Sequence, residues 1–144
     1  TIDYARKASD PRARDWEASA LNNIGSDLRQ AGRLDESLAT FRQALAAYER
    51  KGRAADIRFA RWQVANVLRL QGQADEALAM QLALEAEADA AAAGEPDPYV
   101  HDELALLQRA AGNARAADDA QARAAANGAA ISTAPILPAR SCRR

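Results

Sequence analysis

Cysteine is almost missing from this sequence. Cys142 is the only one, so no disulfide can close within the chain, which fits a reducing, cytoplasmic compartment. Histidine is equally scarce, and His101 with Cys142 cannot assemble a Cys/His metal site. Aromatic residues are 5% of the chain, so a core has to be built from Leu, Ile, Val and Ala. No run of about 18 apolar residues occurs, and no membrane-spanning helix is expected. The formal net charge is only −1, without the broad basic field that nucleic acid demands. No glycine loop of the kind that cradles phosphate is present.

Alanine fills the space these absences leave. There are 39 alanines among 144 residues, and alanine is the best helix former. Its small side chain lets helices approach closely. Glycine is sparse but regular: Gly32, Gly72 and Gly112 stand at intervals of 40 residues, and their surroundings recur with them. A period in this range marks a solenoid of stacked helix pairs. Such architectures mostly bind other proteins.

Helices are expected over 11–31, 34–51, 54–71, 74–93, 97–111 and 114–126. Leu21, Ile24 and Leu28 give the first its apolar face, and Leu34, Leu38, Phe41, Leu45 and Tyr48 form a regular stripe on the second. The third helix has Ala60, Val64 and Leu68, and the fourth has Leu78, Leu82 and Leu84. Each periodic glycine is expected to end the first helix of a pair in the left-handed conformation. Gly94 to Pro98 is a break, with Asp97 as cap and Pro98 as first helical residue. Residues 2–8 read as the end of a preceding helix. The chain starts at Thr1 without a methionine and is expected to be a piece of a longer protein. Residues 128–144 form a tail with Pro135, Pro138, the apolar pair Ile136-Leu137, and Arg140, Arg143 and Arg144 without an acid. Asp118 stands where Leu38 and Leu78 stand earlier, giving the last pair the polar face that a terminal repeat needs.

The first pair reads Ala20-Leu21-Asn22-Asn23-Ile24-Gly25, then Gly32-Arg33-Leu34-Asp35-Glu36-Ser37-Leu38, Phe41 and Ala44-Leu45. This resembles the tetratricopeptide repeat family. The small positions recur as Gly25, Ala65 and Ala105 in the first helices and as Ser37, Ala77 and Ala117 in the second, where the two helices of a pair cross. The apolar position just before recurs as Ile24, Val64 and Leu104. Arg61 and His101 depart from the family's bulky residue, and Gln81 and Gln121 from its aromatic. The 40-residue period is similar to the long-repeat subgroup of kinesin light chains and G-protein-signalling scaffolds. The implied fold is an all-α right-handed superhelix: three helix pairs over about 11–51, 53–93 and 97–127, plus a partial N-terminal helix.

In such proteins the first helix of each pair lines a concave groove that receives a partner segment. The groove face should lie opposite Ile24, Val64 and Leu104. It then carries Asn22, Ser26 and Arg29 in the first pair, Phe59, Trp62, Asn66 and Arg69 in the second, and Tyr99, Asp102 and Arg109 in the third. Arg29, Arg69 and Arg109 recur at the 40-residue interval. Stacked helices would set them about 10 Å apart as a ladder for an acidic peptide. Equally, each lies three residues before a glycine, where a cation offsets the helix dipole by about 0.3–1 kcal/mol. Phe59 and Trp62 read as groove hot spots, as core if the helix phase slips by one, or as a seat for Ile136 or Leu137. Asn22, Asn23 and Asn66 either hold a peptide backbone or form a solvated face. Chaperone-binding members use a clamp of Lys, Asn and Arg. Here Asn22, Ser26, Tyr99 and Glu103 occupy those places, which disfavours a chaperone C-terminus.

Catalysis finds little support. His101 and Asp102 are helix neighbours that do not face each other. Asp35-Glu36 and Asp75-Glu76 sit at helix starts, where acids favour the dipole. The expected function is non-enzymatic recognition of a protein or peptide, acidic in character, without cofactor or metal. The alternatives are self-association into a homo-oligomer through the third pair or the tail, and a regulatory segment of a larger protein. The Ala- and Arg-rich composition points to a bacterial source.

Overall fold

The computed structural model describes residues 11–91 and 98–126. The expected helix end at 2–8, the break at 94–97 with Asp97, and the tail 128–144 with Ile136, Leu137 and Cys142 lie outside them. Among the described residues the chain forms six helices and no strand. They are α1 (Pro11–Gln30), α2 (Leu34–Lys51), α3 (Ala54–Leu70), α4 (Ala74–Ala91), α5 (Pro98–Ala110) and α6 (Ala114–Ala126). Their order is the expected all-α helical repeat, with boundaries within one or two residues of the sequence reading.

The same turn is built three times. Gly72 has φ +82°, which an L side chain adopts only with strain, and its N–H donates to the Arg69 carbonyl at 3.0 Å. The next N–H, of Gln73, reaches back to the Leu68 carbonyl at 2.9 Å. This pair of bonds closes a helix with a Schellman turn and satisfies carbonyls the helix leaves open. Gly32 with Arg33 and Gly112 with Asn113 repeat it bond for bond. The N–H groups of Ser37, Ala77 and Ala117 then bond the carbonyls of Arg33, Gln73 and Asn113, so each second helix starts at the same register. Gly52, which the sequence reading did not single out, ends α2 in the same left-handed conformation with φ +75°.

The chain divides into two compact units, residues 1–84 and 85–144. In the first, α1 packs on α2 and α2 on α3. Leu21, Phe41, Ala44, Ala60, Val64, Val67, Leu68 and Leu84 are buried. In the second, α5 packs on α6 around Val100, Leu104, Leu107, Ala117 and Ala120. The six small positions of the repeat are all buried. Ser37 shows why: its hydroxyl donates to the Gly25 carbonyl at 2.7 Å, a contact only a short side chain makes at a close crossing. Ile24 corrects the expectation for its position. Val64 and Leu104 are buried, but Ile24 is 40% exposed because it lies on the flank of α1 away from α2 and α3.

Candidate functional site

In the first unit the candidate residues of α1 and α3 meet. Arg29 Nη1 donates to Gln63 Oε1 and to Asn66 Oδ1, both at 2.7 Å. Gln63 Nε2 lies 3.5 Å from Asn22 Oδ1. The Arg29 guanidinium also sits 5.4 Å from the centre of the Phe41 ring, within cation–π range. Asn66 is fully buried and Gln63 nearly so. Four polar side chains thus join the first helices of successive pairs. Arg29 and Asn66 are spent on each other, a use of these residues that the sequence reading did not foresee. Gln63 was the missed member. Its signal was its place between Trp62 and Val64, where a polar residue interrupts an apolar run.

α3 also carries Phe59 and Trp62. Their spacing of three brings the rings onto one side of α3, stacked with centroids 6.3 Å apart and planes 12° from parallel. Phe59 is 48% exposed and Trp62 is part-exposed. Neither belongs to the buried core. Ser26 and Arg69 are also part-exposed. α3 holds Arg58, Arg61 and Arg69 against the single acid Asp56. The following helix is the reverse, with Asp75, Glu76, Glu85, Glu87 and Asp89 and no basic residue.

In the second unit Tyr99 is 59% exposed. Arg109 is exposed and reaches Asp118 at 3.4 Å. Asp102 is half-buried, with both carboxylate oxygens shielded from solvent and without a hydrogen-bond partner. Burial, and then the charge of Glu103, push its pKa above the usual carboxylate range, while His101 pulls the other way. His101 itself is buried, with Nε2 2.9 Å from Glu85 Oε2, an ion-pair distance without hydrogen-bond alignment. Arg123 holds the same Glu85 oxygen at 3.3 Å.

Among the described residues no group of three His, Cys, Asp or Glu side chains is placed to hold a metal ion. No helix among them is long and apolar enough to cross a membrane. A cavity of about 440 Å³ opens between Gly32–Glu36 and Gln71 and Gln73, on the turns rather than at the candidate residues.

Paired helices closed by one recurring glycine turn define a helical-repeat protein. Residues 16–84 match the family model of the tetratricopeptide repeat, a match that supports a tetratricopeptide repeat over this stretch. Repeats of this family mediate protein–protein interaction and typically serve as non-enzymatic scaffolds. The match carries no subgroup. No curated protein and no solved structure matches the chain.

Proposed function

We propose that this protein is a non-enzymatic scaffold that holds a partner protein or peptide against the outward side of α3, in the groove expected of the family. The observation that carries the reading is the stacked pair of exposed Phe59 and part-exposed Trp62. Large rings left in water at the surface of a repeat are the residue types that dominate binding energy at interfaces. Arg69 lies seven residues beyond Trp62 on the same side of the helix and supplies a bidentate donor for a carboxylate. The excess of arginine on α3 supports an acidic partner. Ser26 lines the same side of the first pair, and within the second unit Tyr99, Asp102 and Arg109 are the corresponding candidates of the third pair. The bonds of Arg29, Asn22 and Asn66 support a framing role for these three, fixing α1 against α3 so that the aromatic pair is presented rigidly.

The test is selection of partner peptides from a displayed random library on the wild-type chain, followed by titration of the selected synthetic peptides. A Trp62→Ala, Arg69→Ala variant of unchanged helicity should lose at least tenfold in affinity. The selected sequences should be rich in Asp and Glu. Equal binding by wild type and variant would remove α3 as the site.

A further inference from the structure

In the second unit α5 shows solvent a single stripe. Val100, His101, Leu104 and Leu107 are buried, whereas Tyr99 is 59% exposed and Leu106 41%. These two stand seven residues apart, on one side of the helix and about 10 Å from each other along its axis. α5 and α6 are 13 residues each, are joined by a short turn and pack on each other, so they form an antiparallel hairpin. The end of α6 at Ala126 therefore returns level with the start of α5, where Tyr99 lies.

We infer that residues 128–144 of this same chain dock on the stripe, with Ile136 and Leu137 against Tyr99 and Leu106. Reach permits it. Ile136 follows Ala126 by ten residues, which span up to about 33 Å when extended, whereas the whole of α5 is about 20 Å long. Ile136-Leu137 is the segment's apolar pair, and it stands between Pro135 and Pro138, whose fixed φ lowers the entropy lost on docking. Charge selects the place. The segment carries Arg140, Arg143 and Arg144 and no acid. Residues 85–91 and 98–126 hold seven acids against three arginines, a net charge of −4. Residues 11–84 hold nine acids against eleven arginines and lysines, a net charge of +2. The basic segment is thus attracted to the second unit and repelled by the first, although Phe59 and Trp62 offer an aromatic seat there. A partner for Tyr99 has to displace the segment, which makes the third pair self-inhibited. The contact stands whether or not α3 is a partner site.

Cys142 is the only cysteine and lies five residues beyond Leu137, so the full chain takes a nitroxide label there without any substitution. In isotope-enriched protein the label should cause its largest loss of amide signal over residues 99–109, and reducing the label should restore it. Ile136→Ser with Leu137→Ser changes no residue of the six helices and should abolish the selective loss. Leu106→Ser should abolish it from the other side, and the double tail variant decides the question should Leu106→Ser lose helicity. Arg140→Glu, Arg143→Glu and Arg144→Glu together should reduce the loss, as should added salt. Labelled chain mixed with enriched, unlabelled chain should leave the signals of the latter intact. A loss in that mixture equal to the loss within one chain overturns the inference, since the segment would then serve a second copy. No loss, an even loss over all helices, or a largest loss on α3 overturns it as well, as does a loss that ignores Ile136→Ser with Leu137→Ser.

Discussion

The first and second helix pairs solve the same packing problem with different side chains. Where the helices of the first pair cross, Gly25 faces Phe41 so closely that an added Cβ would come within 2.8 Å of two ring carbons. The ring is fully buried. One period later the same positions hold Ala65 and Gln81, both fully buried, and the Gln81 amide finds no partner for either its oxygen or its nitrogen. The first pair therefore takes a glycine inside a helix, at about 1 kcal/mol of helix propensity, to seat an aromatic ring. The second keeps the better helix former and accepts a polar side chain in the core. Gly25 and Phe41 belong together, and neither of them is free to change alone.

Truncation should expose the difference most strongly. Phe41→Ala is expected to cost about 3–5 kcal/mol, the range for emptying a buried aromatic site. Gln81→Ala should cost well under half of that, because it removes an unsatisfied amide together with its packing. Urea unfolding of the two variants measures both. Equal losses would mean that the two crossings are not packed differently.

Gly25→Ala should destabilise by about 1–3 kcal/mol through overpacking, in spite of alanine's higher helix propensity. Phe41→Gln in the same chain should recover part of that loss by recreating the second pair's combination. The double-mutant cycle would show a coupling of at least about 0.5 kcal/mol, as expected for residues in contact. Additive effects would break the comparison.

Gln81→Leu runs the other way. Replacing a buried amide without partners by an apolar side chain of similar size should stabilise by about 1 kcal/mol or more. Gln81→Phe should not, since Ala65 supplies the Cβ that Gly25 omits.

The sequence showed the repeat plainly because turns are local. A glycine at positive φ and two bonds reaching back three and five residues are enough to fix Gly32, Gly72 and Gly112. The helices between them follow from propensity and periodicity. The small positions were legible for the same reason, since Ser37, Ala77 and Ala117 each follow their glycine by five residues. What surrounds a helix was less legible. Ile24 has the right residue type and the right period for a core position, yet its flank of α1 remains exposed, since α2 and α3 pack elsewhere on that helix. Arg29 and Asn66 look like surface polar residues in a list. Their bond spans 37 residues, and no local pattern announces it.

The smallest expected effect lies at the position that is Asn22 in the first pair, Trp62 in the second and Asp102 in the third. Asn22 meets Gln63 and Trp62 stacks on Phe59, while the Asp102 carboxylate has no hydrogen-bond partner. Burial and Glu103 raise its pKa above the 3.8 of a free aspartate. The folded state therefore binds a proton at a pH where the unfolded chain does not, and stability rises as pH falls through the raised pKa toward 3.8. Asp102→Asn removes this contribution. The unfolding free energy of the variant, followed from neutral pH down to about pH 4, should climb less steeply than that of the wild type as the solution is acidified. Parallel curves would mean that the Asp102 carboxylate is solvated as freely as in the unfolded chain, and that this position differs between the pairs in shape alone.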